Sequence, residues 1–170
     1  MRGERGEMPL VAQLEIRRAG PEDAAAVARV LHESFAEFKP LYSDGGFAAT
    51  TPRAKQVLAR MREGPVWLAL HEGVALGTVA IVVRGASVYL RGMAVLPAAR
   101  GSGTGSALLQ HVENWAVKAG CARLFLSTTP FLGAAIRLYE RFGFHFTDEQ
   151  THELFGTPLL TMEKNISSLG

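Results

Sequence analysis

Three glycines at alternate positions, Gly101, Gly103 and Gly105, lie between an apolar run and a helical pattern. Glycine adopts positive φ angles and lets the backbone approach a ligand closely. The first N–H groups of the helix that follows have no partner within that helix, and they carry the positive end of its dipole. The stretch from Leu90 to Ser106 therefore predicts an anion site, for which a phosphate is the natural ligand.

Two common phosphate-binding loops do not fit this spacing. A Walker loop requires Gly-Lys-Ser/Thr, and no Lys follows these glycines. A Rossmann fingerprint requires a third glycine where Ser106 stands, a turn directly after the first strand of the fold and a distal acid that binds ribose. Nucleotide hydrolysis and dinucleotide binding are therefore disfavoured. A glycine-rich connection without a ligand stays open on the loop alone, because an isolated glycine pattern is weak evidence.

Two motifs together carry a family resemblance. Residues 93–97 read Met-Ala-Val-Leu-Pro, residues 100–105 read Arg-Gly-Ser-Gly-Thr-Gly, and residues 135–144 read Ala-Ile-Arg-Leu-Tyr-Glu-Arg-Phe-Gly-Phe. The chain thereby resembles the GCN5-related N-acetyltransferase (GNAT) superfamily, whose signatures are Arg/Gln-x-x-Gly-x-Gly/Ala and Ala-x-x-Leu-Tyr-x-x-x-Gly-Phe. The resemblance covers residues 14–164, which is nearly the whole chain.

The resemblance implies that acetyl-CoA binds where two parallel strands separate, near Val95 and Ser127. It implies no metal. Arg100 either adds positive charge near the phosphates or points into solvent. The implied cofactor-binding backbone groups form two sets, one for the pantetheine arm and the thioester carbonyl and one for the pyrophosphate: Met93, Ala94 and Val95, and Gly101, Ser102, Gly103, Thr104, Gly105 and Ser106.

The implied reaction is direct attack of a primary amine on the thioester of acetyl-CoA, with Tyr139 as the catalytic acid for the departing thiolate. The chain departs from the family at two positions. Ser127 stands where some members have a Glu base, and Leu132 stands where many have an Asn that binds pantetheine. A general base would then come from a water relay or from one of four acids: Glu33, Glu37, Asp44 and Glu72.

These two departures favour an alternative function. In that alternative the chain is a CoA-binding or acyl-CoA-binding regulatory module of the same fold with little or no turnover. The acceptor would be a small molecule or a peptide amine, and its pocket is expected in residues 38–51 and 146–157.

Hydrophobic periodicity predicts an α+β fold with a central mixed sheet flanked by helices on both faces. Residues 78–83 are continuously apolar, so neither face of their strand is expected to meet water. Residues 38–46 are predicted as a loop, and Thr51-Pro52 as the start of a helix. The predicted strands are Leu14–Arg18, Val66–Leu70, Val74–Val83, Ser87–Leu96, Arg123–Ser127, Phe144–Phe146 and Leu159–Lys164, and the predicted helices start at Pro21, Thr51, Ser106 and Gly133.

The predicted organisation is one N-acetyltransferase domain over residues 10–165, with a flexible leader at 1–9 and a frayed tail at 166–170. The length of 170 residues is that of a single domain. If the strand Leu159–Lys164 lies at the edge of the sheet, strand pairing offers a route to a homodimer.

Composition limits the partners. The net charge is +2 and no Lys/Arg block is present, so no nucleic-acid partner is expected. No apolar run of membrane length or secretory signal is present, so no membrane partner is expected. The single Cys121 fits a reducing cytoplasm, and the five histidines lack metal-ligand spacing.

Overall fold

The computed structural model describes residues 13–148 and 151–166, so the predicted leader at 1–9 lies outside the described residues. Within the described ranges the chain forms these strands: β1 (Glu15–Arg18), β2 (Val66–His71), β3 (Val74–Arg84), β4 (Ser87–Val95), β5 (Arg123–Thr128), β6 (His145–Phe146), β7 (His152–Leu154) and β8 (Thr157–Asn165). The α-helices in the same ranges are α1 (Ala24–Phe35), α2 (Asp44–Thr50), α3 (Ala54–Met61), α4 (Thr104–Lys118) and α5 (Gly133–Phe142).

The strands form a mixed sheet in the order β1-β2-β3-β4-β5-β8-β6, with β7 paired to β8. Strands β2, β3 and β4 make an antiparallel meander with short turns. The pair β4 and β5 is parallel, because α4 carries the chain from one end of the sheet back to the other. The predicted mixed sheet is confirmed.

Helices cover both faces of the sheet, and each face has its own hydrophobic core. Leu108, Leu109 and Val112 of α4 pack with Val79 and other strand residues on one face. On the other face, α1 and α3 pack through Val27, Leu31 and Val57 against β2 and β3. The continuously apolar β3 supplies side chains to both cores, as its sequence predicts.

The first helix begins as predicted at the Gly20-Pro21 step. A 3-10 turn at Pro21–Asp23 leads into α1, and the backbone N–H of Gly20 donates to the Asp23 carboxylate at 2.8 Å. Arg17 of β1 forms a two-pronged ion pair with the same carboxylate, at 2.8 and 3.0 Å. The acid therefore ties the first strand to the start of α1.

The predicted loop at 38–46 is largely helical, which corrects the sequence interpretation. A 3-10 helix spans Ala36–Leu41, and α2 begins at Asp44 with the Ser43 hydroxyl accepting from the Gly46 N–H at 3.0 Å. Thr51 ends α2 instead of starting the next helix. Arg53 is the N-cap of α3, and its N–H donates to the side-chain oxygen of Gln56 at 2.8 Å.

Strand β8 is not at the edge of the sheet, so the predicted basis for a homodimer is wrong. It pairs with β5 along Leu160–Asn165 and also pairs with β6 and β7. The first residue of the predicted tail, Ile166, is not frayed. Ile166 is buried in the core, and its N–H donates to the Ala122 carbonyl at 3.0 Å, while residues 167–170 lie outside the described residues.

Candidate active site

The candidate site lies where β4 and β5 separate. These strands pair from Ser87–Arg123 to Leu90–Leu126 and no further. Beyond Leu90, β4 continues along β3 alone, with Ala94 opposite Thr78 and Val95 opposite Gly77. The edge of Met93–Val95 that faces β5 thus lacks a strand partner among the described residues, and unpaired backbone groups of this kind seek hydrogen bonds.

A β-bulge in β4 produces this divergence. Thr78 lies opposite Ala94 and Ala80 lies opposite Arg91, so Gly92 and Met93 together oppose Val79. Gly92 has φ of +67°, a conformation that favours glycine. A bulge bends the strand locally and increases its twist, which carries the end of β4 away from β5.

The glycine loop forms the turn between β4 and α4. Gly101 and Gly103 have φ of +78° and +89°, and Gly103 is the N-cap of the helix. Helix α4 begins at Thr104 instead of the predicted Ser106, so Gly105 and Ser106 belong to its first turn. The first backbone hydrogen bond of this helix is donated by the Ala107 N–H to the Gly103 carbonyl. The N–H groups of the residues before Ala107 therefore have no partner within the helix, and they lie at the positive end of its dipole.

One cleft of about 360 Å³ brings most of the predicted site residues together. Ser102 and Thr104 are the two predicted residues that do not line it. Thr104 is buried, and the Ser102 hydroxyl contacts its hydroxyl at 2.8 Å. The predicted residues that line the cleft are Met93, Ala94, Val95, Arg100, Gly101, Gly103, Gly105, Ser106 and Tyr139.

Arg100 is anchored by contacts at the end of α1. Its guanidinium donates to the Ser34 carbonyl at 2.8 Å and forms an ion pair with Glu37. The same group lies 5.9 Å from the centre of the Phe38 ring. The structure therefore gives Arg100 a definite role in fastening the glycine turn to the α1 end.

Tyr139 of α5 reaches the cleft from the side of α4. Tyr139 is 8% exposed, and the centre of its ring lies 5.8 Å from the centre of the Phe144 ring. Burial, with a smaller contribution from Tyr42, raises the pKa of the Tyr139 phenol to about 12. A phenol with this pKa is protonated at neutral pH and can donate a proton.

None of the four acids predicted as alternative bases lines the cleft. Glu37 is paired with Arg100. Glu72 lies in the β2–β3 turn, where its Oε1 is 3.9 Å from Nε2 of His71. Ser127 has a partner that sequence reasoning missed. Its Oγ lies 3.3 Å from Nε2 of His152 on β7.

The two segments predicted to form the acceptor pocket contact each other. The Ser43 N–H donates to Oγ1 of Thr157 at 3.0 Å, and the two hydroxyls are 3.0 Å apart. Phe155, at the tip of the β7–β8 turn, packs on Gly45 of α2. Beside this contact, Tyr42 packs edge-on against Phe131 with ring centres 4.9 Å apart.

Several residues that line the cleft were not predicted. Ser34 is buried, and its hydroxyl has no hydrogen-bond partner in the described part of the chain. It lies on α1, outside both motifs, so no local signal could identify it. Eight more residues line the cleft without having been predicted. Two lie at or just after the end of α1, one lies in the turn before the glycine loop, and the rest belong to α5 or its N-cap: Phe35, Phe38, Ala99, Leu132, Ala134, Ala135, Leu138 and Arg141.

Comparison with known proteins defines the class. Residues 27–144 match the model of the acetyltransferase (GNAT) family, and the chain belongs to this family. The resemblance and the fold class predicted from the sequence are therefore confirmed, and the protein is an acetyltransferase by class.

The relatives and similar structures are acetyltransferases. The chain is 33% identical over 140 residues to the uncharacterized N-acetyltransferase YjgM of Escherichia coli strain K12, covering 78% of this chain and 83% of YjgM. The PaiA N-acetyltransferase of Thermoplasma acidophilum, crystallised with coenzyme A, superposes with a TM-score of 0.77 at 18% identity, covering 90% of this chain and 99% of PaiA. The ribosomal-protein-S18-alanine N-acetyltransferase of E. coli gives 0.74 at 22% identity, covering 92% and 96%.

Two features were sought in the described part of the chain, a metal-binding cluster and a membrane-spanning helix. Among the described residues, no cluster of three His, Cys, Asp or Glu side chains is arranged to hold a metal ion. No helix in the same ranges has the length and apolarity needed to cross a membrane.

Proposed function

We propose that this chain transfers the acetyl group of acetyl-CoA to a primary amine by direct attack of the amine on the thioester. The observation that carries the proposal is the meeting, in one cleft, of an unpaired strand edge at Met93–Val95, a helix N-terminus at Gly103–Ser106 and a protonated phenol at Tyr139.

The shape and polarity of the cleft fit a CoA thioester. A linear pantetheine arm with amide groups can pair with the free edge of Met93–Val95 as an added strand would. The N–H groups at the start of α4 suit a pyrophosphate. Gly101 has no atoms within 4 Å of the position of a Cβ, so the backbone there is open to a close ligand.

Polar groups of the cleft walls complete the fit. The buried Ser34 hydroxyl has no hydrogen-bond partner among residues 13–148 and 151–166 and is available to the ligand. Arg141 of α5 also lines the cleft, and it supplies a positive charge for the phosphates that Arg100, paired with Glu37, supplies less freely. The crystallised complex of PaiA with coenzyme A supports the same cofactor in this fold.

Backbone groups and one side chain of the protein have separate roles in the proposed reaction. Acetyl-CoA supplies an activated acyl group as a thioester. Backbone N–H groups of Met93–Val95 bind the thioester carbonyl oxygen and stabilise the negative charge that develops there. Tyr139 donates its phenolic proton to the departing sulfur, and its high pKa keeps that proton in place until then.

Calorimetry with CoA and a thiol-release assay test the proposal in two stages. We expect acetyl-CoA and CoA to bind with micromolar affinity, and thiol release to depend on an added amine in a panel of polyamines, amino-sugar amines and peptides with free N-termini. Absence of CoA binding would contradict the proposal. Tight CoA binding without amine-dependent release would instead support a CoA-binding regulatory module.

A further inference from the structure

Ser127 lies at the first position of β5 beyond its pairing with β4. Leu126 is the last residue paired to β4, and β5 stays paired to β8 through Thr128. The backbone of Ser127 is thus paired to β8 on one side and, among the described residues, has no strand partner on the side of β4, so Ser127 borders the separation of the two strands, although it is not among the residues that line the cleft. Side chains alternate along a strand, and Leu126 packs in the core with α4, so Ser127 projects from the opposite face.

Tyr139 lies on the face of the sheet opposite to the one from which Ser127 projects. Its ring belongs to the same core as Leu126 and α4. The Tyr139 phenol and the Ser127 hydroxyl therefore lie on opposite faces of the sheet. This arrangement separates the site that protonates sulfur from the site that an incoming amine meets.

His152 is held beside Ser127 by the β7–β8 hairpin. His152 pairs with Leu159 across the hairpin, and Thr157, which follows the turn, anchors the turn end of the hairpin to Ser43 of α2. His152 is exposed, and Nε2 points to Ser127 Oγ at 3.3 Å. A neutral imidazole can accept a proton near neutral pH, whereas a serine hydroxyl alone is a poor base.

Three carboxylates, those of Glu37, Glu63 and Glu163, are paired with arginines. Glu37 pairs with Arg100, and Glu63 pairs with Arg91 at 2.7 Å. Glu163 on β8 pairs with Arg123 at 2.5 Å, and this contact lowers the pKa of the Glu163 carboxyl. An acid that is held ionised in this way is a weaker base.

We propose that His152, acting through the hydroxyl of Ser127, accepts the proton that the acceptor amine loses during acetyl transfer. This inference rests on the proposed function. As the amine nitrogen bonds to the acyl carbon and the carbon–sulfur bond breaks, the nitrogen passes a proton to Ser127 Oγ, and Ser127 passes its own proton to Nε2. The sulfur takes its proton from Tyr139, and solvent returns the imidazolium and phenolate to their starting forms.

The test compares variants of the full chain with the amine that the wild-type protein acetylates fastest in the panel. His152→Gln retains a hydrogen bond to Ser127 but cannot take up a proton. We expect kcat to fall about 100-fold, within the usual contribution of a general base, while the Kd for CoA stays within about twofold. Ser127→Ala should lower kcat about tenfold, because water can replace the hydroxyl as a relay.

Chemical rescue distinguishes proton transfer from a structural role. Added imidazole should restore at least about a tenth of wild-type kcat to His152→Ala, because the lost group is the base itself. His145→Gln is the matched control, since His145 lies on β6 and contacts Glu163 at 3.4 Å. It should keep wild-type kcat and should not respond to imidazole.

Two results overturn the inference, and they differ from each other. If wild type acetylates an amine and His152→Gln retains kcat within twofold, the base assignment is wrong while the proposed function stands. If wild type binds CoA and releases no thiol with any amine, the proposed function fails and the inference fails with it.

Discussion

Leu138 of α5 lies against Gly105 of α4 so closely that its Cδ2 atom is 2.7 Å from the position of a Cβ on residue 105. Met93 and Val95 of β4 also approach this position, at 3.6 and 3.8 Å. The missing side chain at residue 105 therefore lets α5, α4 and β4 meet at one point on the cleft wall. Its role in the motif includes this packing as well as access to backbone N–H groups.

We expect Gly105→Ala to weaken CoA binding by about tenfold with little change in stability. Alanine favours a helix over glycine by about 1 kcal/mol, and this gain opposes an overpacking cost of about 1–3 kcal/mol that Leu138 can relieve by turning. Leu138 lines the cleft, so its movement disturbs the ligand site. Calorimetry measures the Kd and thermal unfolding measures the stability.

The control is the double variant Gly105→Ala/Leu138→Ala, in which the clash is removed. CoA affinity should return to within about threefold of wild type, since coupled neighbours are non-additive. Equal weakening in the single and double variants would contradict the packing argument.

A comparison of Glu37→Gln with Arg100→Ala tests whether Arg100 fastens the glycine turn or acts as a free charge on the phosphates. Because Arg100 fastens the glycine turn to α1 through Glu37 and the Ser34 carbonyl, we expect both variants to weaken CoA binding, by about threefold and about tenfold respectively. If Arg100 instead acts as a free charge on the phosphates, Glu37→Gln should strengthen binding. Titration of CoA into each variant separates the two outcomes.

The fold was predictable where local patterns specify it. The apolar run of β3, the Gly20-Pro21 helix start and the Gly133 helix start are all read from a few adjacent residues, and the structure has each of them. Helix α2 was missed because Gly45 and Gly46 are poor helix formers. Its formation depends on Ser43, which contacts Thr157 at a separation of 114 residues.

In the candidate site, too, the features set by adjacent residues were predictable and those set by distant residues were not. Its backbone groups belong to motifs of consecutive residues, so the family resemblance could nominate Met93–Val95 and Gly101–Ser106 from the sequence. The pairs that orient side chains are distant in sequence, since Arg100 and Glu37 are 63 residues apart and Ser127 and His152 are 25 apart. The second pair depends on the register of the β7–β8 hairpin, which a single sequence does not specify.

Acid unfolding should depend on Asp23. The hydrogen bonds from Arg17 and the Gly20 N–H lower the pKa of the Asp23 carboxyl below its value in the unfolded chain. Its contribution to stability is therefore present above about pH 4 and is lost as the pH falls through the folded-state pKa. Asp23→Asn should lower the Tm by a few degrees at pH 7 and by much less near pH 2.

Glu22→Gln is the control for this experiment, because Glu22 is the neighbouring acid in the same turn and, unlike the buried Asp23, is exposed. Its Tm should stay within about one degree of wild type at both pH values, as for most surface substitutions. An Asp23→Asn variant whose Tm deficit is independent of pH would show that the carboxylate charge is not the cause.

Tyr139→Phe should lower kcat about 100-fold while leaving the Kd for CoA within twofold, because the ring and its packing on Phe144 are kept and the donated proton is lost. Tyr42→Phe is the matched control, as Tyr42 is also buried but lies outside the cleft lining. We expect its kcat to stay within about fivefold of wild type. Steady-state thiol release measures both, and equal losses in the two variants would argue against Tyr139 as the acid.

Wild type and Tyr139→Phe should differ in how much stability they lose at alkaline pH. Burial raises the pKa of Tyr139 to about 12 in the folded chain, so between pH 10 and 12 the unfolded chain loses the phenolic proton first. Wild type should therefore lose roughly 2 kcal/mol of stability relative to Tyr139→Phe over this range, because each pKa unit corresponds to about 1.4 kcal/mol. Burial also raises the pKa of Tyr42, but both proteins contain it and its effect cancels. Urea unfolding at pH 9 and pH 11.5 measures the difference, and a constant gap between the two proteins would show that the Tyr139 phenol ionises as easily in the folded chain as in the unfolded one.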